Sequence, residues 1–144
     1  MRGYINALKH FGVPVRSGWI GMYNHLEKRE QPSALLRSMM NLPLEDRPTA
    51  LVIFNDEAAV SLLDTIREMG IAIPEDLAIV GFDDSAMATA TEVKFTSIVH
   101  PKEEMGRMAA EILIDSIEKN ITSPKGFVFE PRLIVRQSTV KQSE

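Results

Sequence analysis

The feature that most constrains this chain is a pair of uninterrupted apolar runs, Ala50-Leu51-Val52-Ile53-Phe54 and Leu77-Ala78-Ile79-Val80-Gly81, separated by a helical stripe. A strand exposed on one face alternates apolar with polar residues. Neither run does, so each reads as a strand covered on both faces, the habit of parallel sheets. Between them Ala58, Ala59, Leu62, Leu63, Ile66 and Met69 recur at helical spacing and stop at Gly70, with Asn55-Asp56 placed to cap the start. Strand, helix and strand in that order predict parallel neighbours joined by a crossover, and therefore an α/β architecture.

The flanking segments extend the alternation. Tyr4, Ala7, Leu8 and Phe11 mark a helix ending at Gly12, and the chain enters it with no capping residue before it. That beginning is what a piece of a longer protein looks like. Trp19-Ile20-Gly21-Met22-Tyr23 reads as a short strand, and Leu35, Leu36, Met39 and Met40 as a helix opened by Pro32-Ser33. Phe95 to Val99 is a further strand candidate. A stripe of Met105, Met108, Ala109, Ile112 and Leu113, with Glu103 and Glu104 near the positive end of the dipole, predicts a helix from Lys102 to Glu118. Phe127-Val128-Phe129 and Leu133-Ile134-Val135 read as two strand pieces around Pro131.

Composition narrows the chemistry. A chain of 144 residues, 44% hydrophobic and 25% charged, has the balance of a folded domain. No apolar stretch is long enough for a membrane span and none follows Met1 as a signal core, so no membrane partner is expected. The absence of cysteine excludes thiolate metal sites, disulfides and thiol catalysis, and suits a reducing compartment. The three histidines stand in no metal-ligand spacing. Neither a Gly-x-Ser-x-Gly elbow nor a glycine-rich phosphate loop is present, so no enzyme and no cofactor is expected. A net charge of −4 gives no general attraction to phosphate, so nucleic acid is not expected to bind this chain directly.

In open α/β sheets ligands lie beyond the carboxyl ends of the strands. Two such ends carry polar groups here, Asn55-Asp56-Glu57 and Asp83-Asp84. An amide beside a carboxylate combines donor and acceptors, the mixture that sugar hydroxyls require. Asn55 is equally suited to capping a helix, and Asp83 to tying a turn. His100, after a short strand and before Pro101, is a third candidate. Tyr23 is a fourth, an aromatic ring that could stack on the C–H face of a sugar. Trp19 reads as a core residue.

Specific strings then accumulate: Arg2-Gly3-Tyr4-x-x-Ala7-Leu8, Arg47-Pro48-Thr49-Ala50, Phe54-Asn55-Asp56-Glu57-Ala58-Ala59, Val80-Gly81-Phe82-Asp83-Asp84, Thr96-Ser97-Ile98, Met105-Gly106, and Pro131 to Ser138. In this order, over nearly the whole chain, they resemble the effector-sensing domain of the LacI/GalR repressors. The segments 92–97 and 129–138 look most like the arabinose-responsive members, which join a GntR-type winged helix to that sensor. The resemblance implies a periplasmic-binding-protein-like fold (type I) of two α/β subdomains with a sugar, here L-arabinose, between them. It assigns residues 1–100 to the C-terminal subdomain, 101–125 to a crossing segment and helix of the other subdomain, and 126–144 to returning strands.

It further implies sugar contacts from Asn55, Asp83 and His100, with an arginine usual among the family's ligand contacts falling before Met1. A homodimer surface is implied at Val60, Asp64 and Met87. Operator DNA would be bound only through an N-terminal domain outside this chain, in a cytoplasmic repressor. The alternative is a sugar-binding protein of a transport system, which shares the fold.

Overall fold

The computed structural model describes residues 1–22, 31–119 and 126–140. Its centre is a four-stranded sheet in the order β1 (Ala50–Val52), β2 (Ala78–Phe82), β3 (Thr96–Val99), β4 (Arg132–Ile134). The first three strands are parallel, with Val52 beside Val80 and Val80 beside Thr96. The last is antiparallel, with Ile98 opposite Leu133. The α/β expectation is met, with a mixed rather than wholly parallel sheet.

Helices α1 (Arg2–His10), α2 (Gln31–Met40), α3 (Asp56–Ser61), α4 (Leu63–Glu68) and α5 (Lys102–Glu118) fall at the stripes read from sequence, and α5 has the expected bounds. Gly12 and Gly70 take φ of +68° and +65° beyond the ends of α1 and α4, a left-handed conformation that a side chain would strain. The stripe expected as one helix through residues 58–69 is divided at Leu62, whose backbone serves as C-cap of α3 and N-cap of α4.

Two strand expectations fail. Residues Ser17–Trp19 form a single 3-10 turn, closed by Trp19 N–H donating to the Arg16 carbonyl, and Ile20 is extended with no strand partner among the described residues. The Trp19 indole N–H donates to the Asp46 carbonyl at 2.7 Å, and the Arg16 side chain stacks over its ring, so the residue anchors to a loop rather than to a sheet. Residues 127–129 are irregular, and only the later of the two terminal pieces pairs, as β4.

The core lies between one face of the sheet and the helices α2 to α4: Leu36, Met40, Ala59, Leu62, Ile66, Leu77, Ile79, Ala88 and Phe95 pack as one buried cluster. Burying each of the leucine, isoleucine, methionine and phenylalanine side chains contributes about 1.5–3 kcal/mol against the entropy of ordering it. Strand alternation puts Val52, Val80 and Ile98 on the opposite face, where Val52 and Leu133 are exposed. Nothing in α5 is buried, and Leu113, Ile114 and Ile117 are 62%, 53% and 69% exposed. No helix among the described residues is long and apolar enough to cross a membrane.

Candidate functional site

The parallel register lines up the candidate residues. Asn55 follows Val52 by three positions, Asp83 follows its partner Val80 by three, and His100 lies two beyond Ile98, the partner of Phe82. All three therefore leave the sheet at the same edge.

Asp83 and Asp84 form a turn with φ of 94° and 44°, an arrangement that aspartate tolerates better than most residues but still at a cost of about 1–3 kcal/mol. The surroundings hold it from several sides. Asp83 N–H donates to the Ile98 carbonyl at 2.9 Å, and Asp84 N–H to Ser97 Oγ at 3.1 Å. Lys102, the first residue of α5, donates from Nζ to the Asp83 carbonyl at 2.6 Å. Beneath the turn lies Asp56, only 1% exposed, whose two oxygens accept from Ser97 Oγ at 2.6 Å and from Ser85 N–H at 2.7 Å. A buried carboxylate is tolerable only when its lone pairs are met in this way.

Arg136 supplies the remaining support. Its Nη1 lies 2.7 Å from Asp84 Oδ1 while donating to the Phe95 carbonyl at 2.9 Å, and both members of the ion pair are about one-fifth exposed. Arg136 N–H also donates to Thr96 Oγ1. Ser138, two residues on, is fully buried and inserts between β2 and β3: its Oγ accepts from Thr96 N–H and donates to the Ile79 carbonyl, and its own carbonyl accepts from Ile79 N–H.

Asp83 and His100 come together. His100 Nε2 is 3.9 Å from Asp83 Oδ1, and the imidazole stacks on Phe82 with ring centroids 5.4 Å apart. Its Nδ1 is buried without a hydrogen-bond partner among the described residues. Asp83, Asp84, Val99, His100 and Lys102 line an open depression of about 420 Å³. Such a group can accept from hydroxyls at the carboxylate and exchange a hydrogen bond at the imidazole.

Asn55 lies outside that lining. Its Oδ1 accepts from Ala58 N–H at 2.8 Å, the N-cap bond that opens α3, so its capping role is realised and the oxygen is committed. Tyr23 lies outside the described residues. Val60 is half-buried and packs on the core, while Asp64 and Met87 are exposed; α3 packs against the 3-10 turn Ala86–Ala88, which brings the Val60 and Met87 segments side by side. Sequence reasoning missed Asp56 and Arg136 as supports of the turn, and Ser138 as a link between β2 and β3. The available signal was a second acidic residue beside the Asn55 cap, together with an Arg-x-Ser pair just past the returning strand.

No group of three or more metal-ligating side chains occurs among the described residues. A strand-end turn of two aspartates stands at the carboxyl end of the parallel strands of an α/β domain, where such domains take ligands. The chain belongs to the periplasmic-binding-protein-like domain family, whose pattern matches residues 1–139.

The proteins it resembles include transcriptional repressors and LacI-family regulators. It is 47% identical over 140 residues to an arabinose metabolism transcriptional repressor of Geobacillus stearothermophilus, an alignment covering 96% of this chain and 38% of that protein. The protein of the same name from Halalkalibacterium halodurans is 38% identical, over 98% of this chain and 39% of its own length. Among solved structures, a LacI-family regulatory protein from Chloroflexus aggregans superposes with a TM-score of 0.82 at 32% identity, covering 96% of this chain and 48% of that one. A transcriptional regulator solved in complex with cellobiose gives 0.80 at 32% identity, covering 94% and 40%. The chain thus spans about two-fifths of the length of the curated relatives it matches.

Proposed function

We propose that this chain is the sugar-sensing part of a cytoplasmic transcriptional repressor and that its effector is L-arabinose. The observation that carries the reading is the meeting of the Asp83 carboxylate and the His100 imidazole at the carboxyl edge of the parallel strands. That is where α/β domains take ligands, and carboxylate with imidazole is a suitable pair for adjacent sugar hydroxyls. Similarity to two arabinose metabolism repressors supports the choice of sugar. Asn55, by its free amide N–H groups, and Tyr23 complete the proposed contact set.

In this reading residues 1–100 and 126–144 form one subdomain, and the helix within 101–125 belongs to a second whose other elements lie outside the chain. The apolar side of α5, exposed here, would then be its docking surface. Arabinose bound between the subdomains favours one closure state, and a homodimer passes that preference to DNA-binding domains outside this chain, which release operator DNA. Calorimetric titration of L-arabinose and D-glucose into the full gene product tests the proposal. Saturable heat with arabinose, accompanied by loss of operator binding, supports it. Arabinose heat without any change in DNA binding would leave a sugar-binding protein that is no repressor, and no heat with arabinose would remove the sugar assignment.

A further inference from the structure

Asp84 has no ligand role in the reading above, yet its carboxylate is held by a side chain from the other end of the chain. The Asp83-Asp84 turn has two consecutive residues at positive φ, so it keeps its shape only while neighbours hold it. Asp56 grips it from below through Ser85 N–H and Ser97 Oγ. From the side, the Arg136 guanidinium stands 2.7 Å from Asp84 Oδ1 in a pair that is mostly shielded from water. Because Nη1 directs its hydrogen bond to the Phe95 carbonyl, the attraction to Asp84 is chiefly one of charge, and the bond to Phe95 fixes where that charge sits.

From this arrangement we infer that Arg136 is a positioning residue for the Asp83 carboxylate, acting through Asp84. The inference rests on the reading of Asp83 as a sugar contact and extends it to a residue that touches no sugar. It also makes the turn sensitive to the segments on both sides of α5. Lys102 at the start of that helix holds the Asp83 carbonyl, and Arg136, just past β4, holds the Asp84 carboxylate. Displacing α5 relative to the sheet pulls on the Asp83 peptide through Lys102, while Arg136, tied to β3 through the Phe95 carbonyl and Thr96 Oγ1, holds the Asp84 carboxylate against the sheet. The coupling is local and physical, through one hydrogen bond and one ion pair.

The test uses Arg136→Met, Asp84→Asn and their combination in the full gene product, with L-arabinose calorimetry and amide hydrogen exchange read side by side. Arg136→Met is expected to weaken arabinose binding roughly tenfold and to speed exchange at Asp84 and Ser85, while amides of β2 keep their protection. Arg136→Lys, which keeps the charge without the fork, is expected to recover part of the affinity. The double variant should lose no more than either single one, since both break the same pair. A merely structural arginine would lower the thermal midpoint and leave the affinity of the folded protein unchanged, and that result overturns the inference. So does full additivity in the double variant. Should Arg136→Met fail to fold, Asp84→Asn decides alone by the same two readouts. If the unsubstituted protein takes up no arabinose, the effector assignment fails, and unchanged exchange at Asp84 and Ser85 in the variants would separately remove Arg136 from the turn.

Discussion

Gly81 and the Asp56 carboxylate occupy space that only one side chain can fill. A Cβ on Gly81 would fall well inside contact distance of Asp56 Oδ1, and within 3.5 Å of Ser97 Oγ. The strand is therefore bare at this residue so that a helix-borne carboxylate can reach across to the turn at Asp83-Asp84. Gly81→Ala is expected to cost about 1–3 kcal/mol of stability from overpacking, read as a lower midpoint of urea unfolding at unchanged slope. In an Asp56→Ala background the same change should cost measurably less, because the obstructing oxygen is gone.

Ser138 gives a second stability prediction. Its hydroxyl meets Thr96 N–H and the Ile79 carbonyl in a site closed to water. Ser138→Ala leaves both without this partner, and each buried group so abandoned costs about 1–3 kcal/mol. Chemical denaturation should show a loss of about 2–6 kcal/mol for the two groups together, whereas Ser116→Ala, whose half-buried hydroxyl bonds only to the Ile112 carbonyl of its own helix, should show little.

For the ligand, Asp83→Ala in the full gene product is expected to weaken arabinose binding by about one to two decades, the consequence of deleting one side of a buried hydrogen bond. His100→Ala should weaken it less, since the imidazole shares its contacts with Phe82. Unchanged affinity in Asp83→Ala would remove this carboxylate from the site.

A dimer through the α3–α4 and 86–88 segments can be probed without disturbing the core. Val60 packs against that core and is best left in place, but Met87 is 44% exposed and Asp64 is exposed beside Arg67. Met87→Glu with Asp64→Arg should shift sedimentation of the full gene product toward the monomer. A mass unaltered by both changes would exclude this surface as the interface.

The chain on its own should reveal the uncovered helix. Leu113, Ile114 and Ile117 together present an apolar surface whose removal from water is favourable by about 25 cal/mol per Å². Light scattering of the isolated chain is expected to rise with concentration, and Leu113→Lys with Ile117→Lys should suppress the rise.

Much of the architecture was legible because it is written in local pattern. The cap at Asn55 and the stripe of α5 depend on neighbours in sequence and were found in place, while the runs at 50–54 and 77–81 form strands at Ala50–Val52 and Ala78–Phe82, with Val52 exposed where cover on both faces was expected. What escaped depends on contacts distant in sequence. Trp19 lies in a strand-like string, but its indole has a partner 27 residues away at Asp46, and the segment closes as a turn. Phe127-Val128-Phe129 has the β-prone residues of a strand, yet propensity alone supplies no partner strand. Asp83 and His100 were legible as strand ends. Asp56 looked like a cap residue, and only the fold reveals that its carboxylate lies under the turn.

The insertion of Ser138 between β2 and β3 also sets an order of events during synthesis. Its bonds to Ile79 span 59 residues, and Arg136 reaches back 52 positions to Asp84. Long-range closures of this kind are slow and come late. A nascent chain emerging to about residue 130 already contains every candidate sugar contact, yet lacks both the wedge that joins the two strands and the cation that steadies their turn. The pocket is thus written early and completed last, so that losing the final dozen residues would disarm a site to which none of them contributes a contact.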